Sequence, residues 1–540
     1  MNHFASGAVG GSGGLRGGRW LQWMLGLTVI PFAAPAFAGT FSLGEEVNVD
    51  YIINLSYAAA YRLRDPSQTL VDGPTDPATG LSSTVNSDDG DRNFKRGSLI
   101  NNRLSLLGDF DIKYHNYGAF LRVSSFYDDV YRHYNDNDSP DTVNKSGDHD
   151  QFTSRARKLE ENRTRLLDSY VYGSLQTGDE SMLNLRLGRQ VVQWGESLFF
   201  PNIAGAQSPA DATKANVPGT EVKDILLPVG QVSAQWQLTP LFGVSAYYQY
   251  EYKPTELDPV GTYFSYTDVV GPGAEFIRAA PGFNIPRGPD RHPRDSGQWG
   301  VSTHFAVTSE SDISLYYLRY HDKNPNVEVN YQDMLPVDYS VVYFDDISLY
   351  GASFSTRLGD VNLAGEVSYK EGVPVLVDSP LGSVATRADA TQSNLSAIYL
   401  LGPRWFSEQT TFIAEASYLH VNQVDPYGFA GERYDQLTNS RNSWAYQLMV
   451  TPSWNNVIDS WDMTMPLSFA QQVKGAAAVA GAFGGLVGEG DKRMSVGVTG
   501  KYLNNLELGL TYNGFLGSPN LEKRPLADRD YLAFSAKYSY

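Results

Sequence analysis

At 540 residues the chain would make about three or four ordinary soluble domains, unless its segments close into one barrel. The composition is 42% apolar, 13% aromatic and 19% charged, too rich in rings and too poor in charge for general disorder. A formal charge of −18 has the wrong sign for a phosphate backbone and argues against a nucleic-acid partner, while the lack of cysteine excludes disulfides, thiolate metal sites and cysteine nucleophiles.

The chain opens with Arg16 and Arg19 ahead of an apolar run from Leu21 to Phe37, and Ala36-Phe37-Ala38 places small residues where signal peptidase accepts them. This predicts a signal peptide over 1–38 and a single domain over 39–540. Past Ala38 no stretch approaches the roughly twenty apolar residues of a spanning helix. The remaining destinations are the periplasm, the exterior, or a barrel in an outer membrane.

The pattern that follows has period two. In Arg103 to Tyr114, Leu104, Leu106, Phe110, Ile112 and Tyr114 oppose Arg103, Ser105, Asp109, Asp111 and Lys113. Val361 to Lys370 and Asn505 to Phe515 repeat the alternation. Such segments are expected near 49–63, 98–113, 117–128, 164–177, 181–192, 229–238, 241–252, 297–307, 311–321, 347–358, 361–371, 391–402, 410–422, 443–452, 461–472, 491–502, 505–516 and 530–540. Short turns such as His115-Asn116 and Gly359-Asp360 alternate with long polar stretches at 64–97, 129–163, 253–296 and 372–390.

That parity belongs to a barrel whose ends both lie on the periplasmic side. The predicted fold is therefore all-β, a transmembrane antiparallel β-barrel of about 18 strands, or sixteen without one weak pair, with short periplasmic turns and long extracellular loops. At the C-terminus Phe534, Tyr538 and Tyr540 share one face, resembling the signal by which outer-membrane barrels are recognised for insertion. The 34 tyrosines suit the aromatic girdles of such barrels.

Two segments are candidates for folding into the lumen. In 194–227, Leu198-Phe199-Phe200-Pro201 leads into a small-residue stretch with a short helix expected near Ser208 to Ala215; the other is the Gly/Ala tract 475–488. Leu198, Phe199, Phe200 and Phe483 are the candidate constriction; an external loop packed on its neighbours fits these segments equally well. The charges expected to face the lumen are Arg103, Asp109, Arg122, Arg186, Glu366, Lys370, Glu415, Lys501 and Glu507, most as cross-strand pairs and a minority as a selectivity ring. The acidic run Asp88-Asp89-Gly90-Asp91 and the acids between Asp136 and Asp150 lack the EF-hand spacing and are expected to be solvated surface.

No nucleophile elbow, zinc-protease or phosphate-loop motif occurs, so no catalytic, cofactor or metal residues are assigned. A Ser–His pair set between strands keeps a lipid hydrolase open as an alternative, and a general porin for polar solutes is a third.

LRLGRQVVQWGESLFF at Leu185 to Phe200, SPADATK, Tyr57-Ala58-Ala59-Ala60-Tyr61-Arg62 and NNRLSLLGDFDIKYHNYGAFLRV together resemble an uncharacterised family of large proteobacterial outer-membrane proteins, catalogued as a domain of unknown function. The resemblance implies a barrel loosely similar to the long-chain fatty-acid channels. It also implies barrel-insertion machinery and outer-membrane lipids as partners, often with a periplasmic lipoprotein and an inner-membrane exporter of the resistance–nodulation–division type. The expected function is transport of hydrophobic or amphipathic small molecules. Only about ten residues separate Gly39 from the first strand, too few for an N-terminal hatch, so any obstruction must come from the two internal segments.

Overall fold

The computed structural model describes residues 38–220 and 222–539. The expected leader and Tyr540 lie outside these.

Eighteen strands form one closed antiparallel barrel. In chain order they are β1 (Val47–Arg62), β2 (Leu99–Tyr114), β3 (Tyr117–Asp128), β4 (Asn162–Gln176), β5 (Met182–Gln190) and β6 (Val229–Thr239). Next come β7 (Phe242–Gln249), β8 (Gln298–Thr308), β9 (Ser311–Tyr320), β10 (Ile347–Leu358), β11 (Val361–Ser379) and β12 (Gly382–Leu401). The last six are β13 (Gln409–Val424), β14 (Asn442–Ile458), β15 (Trp461–Thr464 and Leu467–Lys474), β16 (Lys492–Tyr502), β17 (Leu506–Leu516) and β18 (Tyr531–Ser539).

Each strand pairs with its neighbours in sequence, and β1 closes on β18 from Asn54↔Ser539 to Arg62↔Tyr531. A short strand, Ala38–Leu43, pairs with the start of β1 beyond the stretch that pairs with β18, so it continues the wall and does not enter the lumen. β15 is split at Pro466, which has no amide proton to give the ladder.

Alternation puts one face of every strand outward, and that face is a belt of exposed Leu, Val, Phe and Tyr: Leu104, Leu187, Val301, Leu315, Leu395, Leu448, Leu510 and Phe534 are examples. An apolar surface around a whole cylinder cannot stand in water but matches a hydrocarbon layer. Near the long-loop end, register neighbours Tyr317, Tyr350 and Tyr369 and the pairs Tyr248↔Trp299 and Tyr418↔Trp444 supply aromatic rings. Phe242↔Phe305 and Tyr399↔Phe412 do so toward the short turns. These are the two girdles of a membrane barrel.

The expected loop 372–390 is instead the projecting half of a hairpin: β11 and β12 continue to Ser379 and Gly382. Their register shifts between Lys370 and Val373, where Gly372 takes a φ of 82°, so the inward face changes phase there.

The long loops are not plain solvated strings. At the seam Phe94, Tyr131, Phe152, Tyr263, Phe515, Leu526 and Tyr531 form a buried cluster capping the mouth. Beside it Arg62, fully buried, pairs with Asp91 at 2.6 Å and Asp528 at 3.3 Å, and Arg529 reaches Asp91 at 3.2 Å. The expectation that the Asp88–Asp91 run is solvated is overturned: Asp88, Asp89 and Asp91 are all buried. Burial arises because Gly90 lies against the 262–265 backbone, where a Cβ would come within 2.4 Å of the Ser265 oxygen.

Candidate functional site

The lumen is obstructed from within. Segment 191–228 leaves β5, enters the barrel and returns to β6, and 475–491 folds in from the opposite wall. They meet at Phe200 and Phe483, both buried, whose rings stand edge to face with centroids 6.0 Å apart. Around them Ile203, Ala206 and Ala482 pack on inward-facing Leu318, Leu349, Val373, Ala390, Leu419 and Val421. This half of the interior is an apolar core and not the wet wall that polar-inside alternation leads one to expect. Phe199 packs partly on that core, while Leu198 stays exposed along the cavity described below.

Two wall carboxylates hold the first segment. Glu415 Oε2 accepts the amides of Leu198, Phe199 and Phe200 at 3.2, 2.5 and 3.1 Å, three successive donors converging on one anion. Glu366 accepts the amides of Glu196 and Ile203 at 2.5 and 3.2 Å and the Ser197 hydroxyl at 2.6 Å. Between them Asn394 donates to the Phe200 carbonyl at 2.8 Å, and Gln392 donates to Pro201 at 3.0 Å and to Ala482 of the second segment at 3.1 Å. The clamp needs the glycine of the Trp194-Gly195-Glu196 motif. Gly195 has a φ of 98°, and a Cβ there would lie 2.5 Å from Glu366 Oε2.

A cavity of about 410 Å³ lies between the two segments and the wall at β9 and β11, lined by Leu198, Phe199, Ala206, Val373 and Ala480 with a few polar groups. Lys370 reaches it from the wall, with Gln392 Oε1 3.3 Å from its Nζ. Lys323, from the loop after β9, donates to the Ala206 and His321 carbonyls at 3.0 Å. An apolar chamber with a few charged groups is the usual make-up of a small-molecule site. Toward the short turns a wider polar vestibule of about 1080 Å³ is lined by Asp111, Tyr172, Arg186, Glu196 and His304.

The remaining charges named from sequence sit elsewhere on the wall. Arg122 pairs with Asp109 at 2.7 Å and Asp168 at 3.2 Å, and Arg103 joins Asp128 at 3.2 Å to Glu160 at 2.6 Å. Arg186 lies 5.4 Å from the centre of the Tyr170 ring. Lys501 stands beside Asp462 and Glu507 in the register, and Glu507 beside Lys537, a row of alternating sign at the short-turn end. These residues thus form separate groups rather than one ring. Phe534 and Tyr538 lie on the outer face. The expected helix near Ser208 to Ala215 is a single turn, Ala212–Ala215. Gln392, Asn394 and Lys323 were not singled out by sequence; the first two were legible only as inward positions of β12.

A Ser–His–Asp grouping occurs among the described residues: His304 Nδ1 is 3.3 Å from Ser314 Oγ, and its Nε2 is 3.3 Å from Asp312. Ser314 is paired on both sides in the ladders of β9, so its backbone amide is not free to stabilise an oxyanion, and its side chain faces the lumen and not lipid.

The family model described as "Protein of unknown function (DUF1302)" matches residues 19–540, and the chain belongs to that family. No curated protein matches it. Among solved structures, the outer membrane channel DcaP of Acinetobacter baumannii is 11% identical, with 93% of this chain and 99% of that chain covered at a TM-score of 0.38. OccAB1 of the same organism is 10% identical, with 91% and 96% covered and a TM-score of 0.43. A BenF-like porin from Pseudomonas fluorescens Pf-5 is 11% identical, with 91% and 98% covered and a TM-score of 0.42.

Proposed function

We propose that this member of the DUF1302 family is an outer-membrane channel for hydrophobic or amphipathic small molecules, exported with a cleaved leader and obstructed by its own inward loops. The observation that carries the reading is the chamber of about 410 Å³, walled mainly by apolar side chains and held shut by the Glu366 and Glu415 clamps. An apolar core in the middle of a pore excludes hydrated ions and sugars, because entering it strips their water without replacement. A molecule with an apolar body escapes that cost, and Lys323 and Lys370 can meet a polar end. Replacing 475–488 by a short Gly/Ser linker is expected to raise single-channel conductance in planar bilayers; unchanged conductance would count against that tract as part of the constriction.

The polar vestibule of about 1080 Å³ favours a second reading, a general porin for polar solutes. That reading predicts that the unmodified protein makes liposomes swell rapidly in isotonic sugar. The channel proposed here predicts swelling only after the tract is removed.

A further inference from the structure

We propose that Asp88, Asp89 and Asp268 form a binding site for a hard divalent cation, calcium above all, that ties three long loops together over the mouth of the barrel. The three carboxylates come from loops 63–98 and 250–297, and each brings an oxygen within 4.8 Å of the other two. They are exposed by only 0%, 3% and 0%.

The acids alone would not make a site; their unused oxygens do. Asp88 Oδ2 accepts from Arg92, Asp89 Oδ2 accepts from the Asn144 amide at 3.3 Å, and Asp268 Oδ2 accepts from the Asp89 amide at 3.2 Å. The Oδ1 atom of every one is buried without a hydrogen-bond donor. So is Oδ1 of Asn144, a neutral side chain 1% exposed that comes from the third loop, 129–161. Each acid thus keeps a sealed oxygen without a donor, and the Asn144 oxygen lies on a residue whose own backbone amide is bonded to Asp89, which suits a cation that takes oxygen ligands.

Charge points the same way. Arg92 offsets Asp88 but is shared with Asp72 at 2.6 Å. Arg62 and Arg529 are matched by Asp91 and Asp528, so that neighbouring group has no surplus to lend. Arg278 gives its Nη2 to the Val143 carbonyl at 2.8 Å, and Lys145 bonds the Asp148 carbonyl. Lys145 and Arg278 attract the Asp89 carboxylate and Arg529 the Asp268 one, yet among the described residues no cation makes a direct ion pair with either acid, an arrangement a divalent ion balances directly. All-oxygen donors suit calcium, magnesium or manganese rather than zinc or copper, which favour nitrogen and sulfur ligands.

The test is calorimetric titration of the EDTA-stripped full chain, in non-ionic detergent, with calcium chloride and separately magnesium chloride. One site per chain is expected, with Kd between about 10 μM and 1 mM for calcium, the upper range being that of extracellular modules. Asp89→Asn and Asp268→Asn should each weaken it at least tenfold, while Asp179→Asn, at an exposed carboxylate in a short turn at the other end of the barrel, leaves it unchanged. Absence of binding by the wild type, or binding untouched by both substitutions, overturns the proposal. Should either variant fail to fold, as read by heat-dependent gel mobility, protection of 63–98 and 250–297 from protease by calcium in the wild type decides instead. No such protection overturns the proposal.

Discussion

Replacing Glu415 by Ala should open the lumen. The carboxylate accepts three successive amides, from Leu198 to Phe200, and the Asn394 amide at 3.2 Å, in a setting where its side chain is almost wholly enclosed. A charge-assisted bond contributes about 1.5–3 kcal/mol, but all three backbone donors share one oxygen, so the full sum is not reached. Loss of the shared acceptor leaves three buried amides unsatisfied at about 1–3 kcal/mol each, so a loss of about 3–5 kcal/mol sets the scale. At about 1.4 kcal/mol per decade, that loss moves the ratio of seated to released segment by roughly two to three and a half orders of magnitude. Recordings of Glu415→Ala in planar bilayers should then show openings that the wild type rarely visits, together with new protease cleavage between 194 and 203. The double variant Glu366→Ala/Glu415→Ala should add less than the sum of the singles, since both carboxylates hold one stretch of chain. If Glu415→Ala conducts and resists protease as the wild type does, the clamp does not hold the plug.

Gly195→Ala should mimic the loss of Glu366, because its Cβ would press on that carboxylate at 2.5 Å in a left-handed backbone; the same recordings read it. Phe483→Ala should destabilise the contact between the two segments by about 3–5 kcal/mol, seen as faster hydrogen exchange in both while the barrel strands keep their protection. Burial pushes the Glu160 carboxyl up to about 8, with Arg103 pulling it down and Asp258 and Asp211 pushing it further up. Its raised value means the loop helix Ser154–Glu160 is most stable below the ordinary carboxylate range and loses that stability as pH rises through about 8. Hydrogen exchange of this helix should accelerate from pH 5 to pH 9 beyond the intrinsic rate, and Glu160→Gln should flatten the dependence. Ser314 should not be labelled by a fluorophosphonate probe, nor should the protein turn over phospholipid; labelling that Ser314→Ala abolishes would revive the hydrolase reading.

The barrel was legible because its signal is local. Each strand announces itself by alternation over about ten residues, and a one-residue slip would put Arg103 or Glu366 into lipid, so the register tolerates little error. The hairpin 372–390 was missed where the signal breaks. Gly372 shifts the phase at the bulge, and Val373, Val375 and Val377 then face inward out of step with Glu366 and Lys370. The inward positions of Glu366 and Glu415 could be read from alternation, but their roles could not. Their partners lie 163 to 217 positions away in the chain, on a segment without periodicity. The acid run Asp88–Asp91 looks solvated for the same reason: its burial depends on Asp268, 179 positions beyond Asp89.

The chain has no cysteine, so single cysteines can be placed on either face of its wall. In proteoliposomes, Lys501→Cys and Glu507→Cys should react with a water-soluble maleimide, whereas Val498→Cys and Leu510→Cys, from the outward belt, should not. Equal reactivity at all four positions, or the reverse preference, would contradict a cylinder that is apolar outside and carries its charges within.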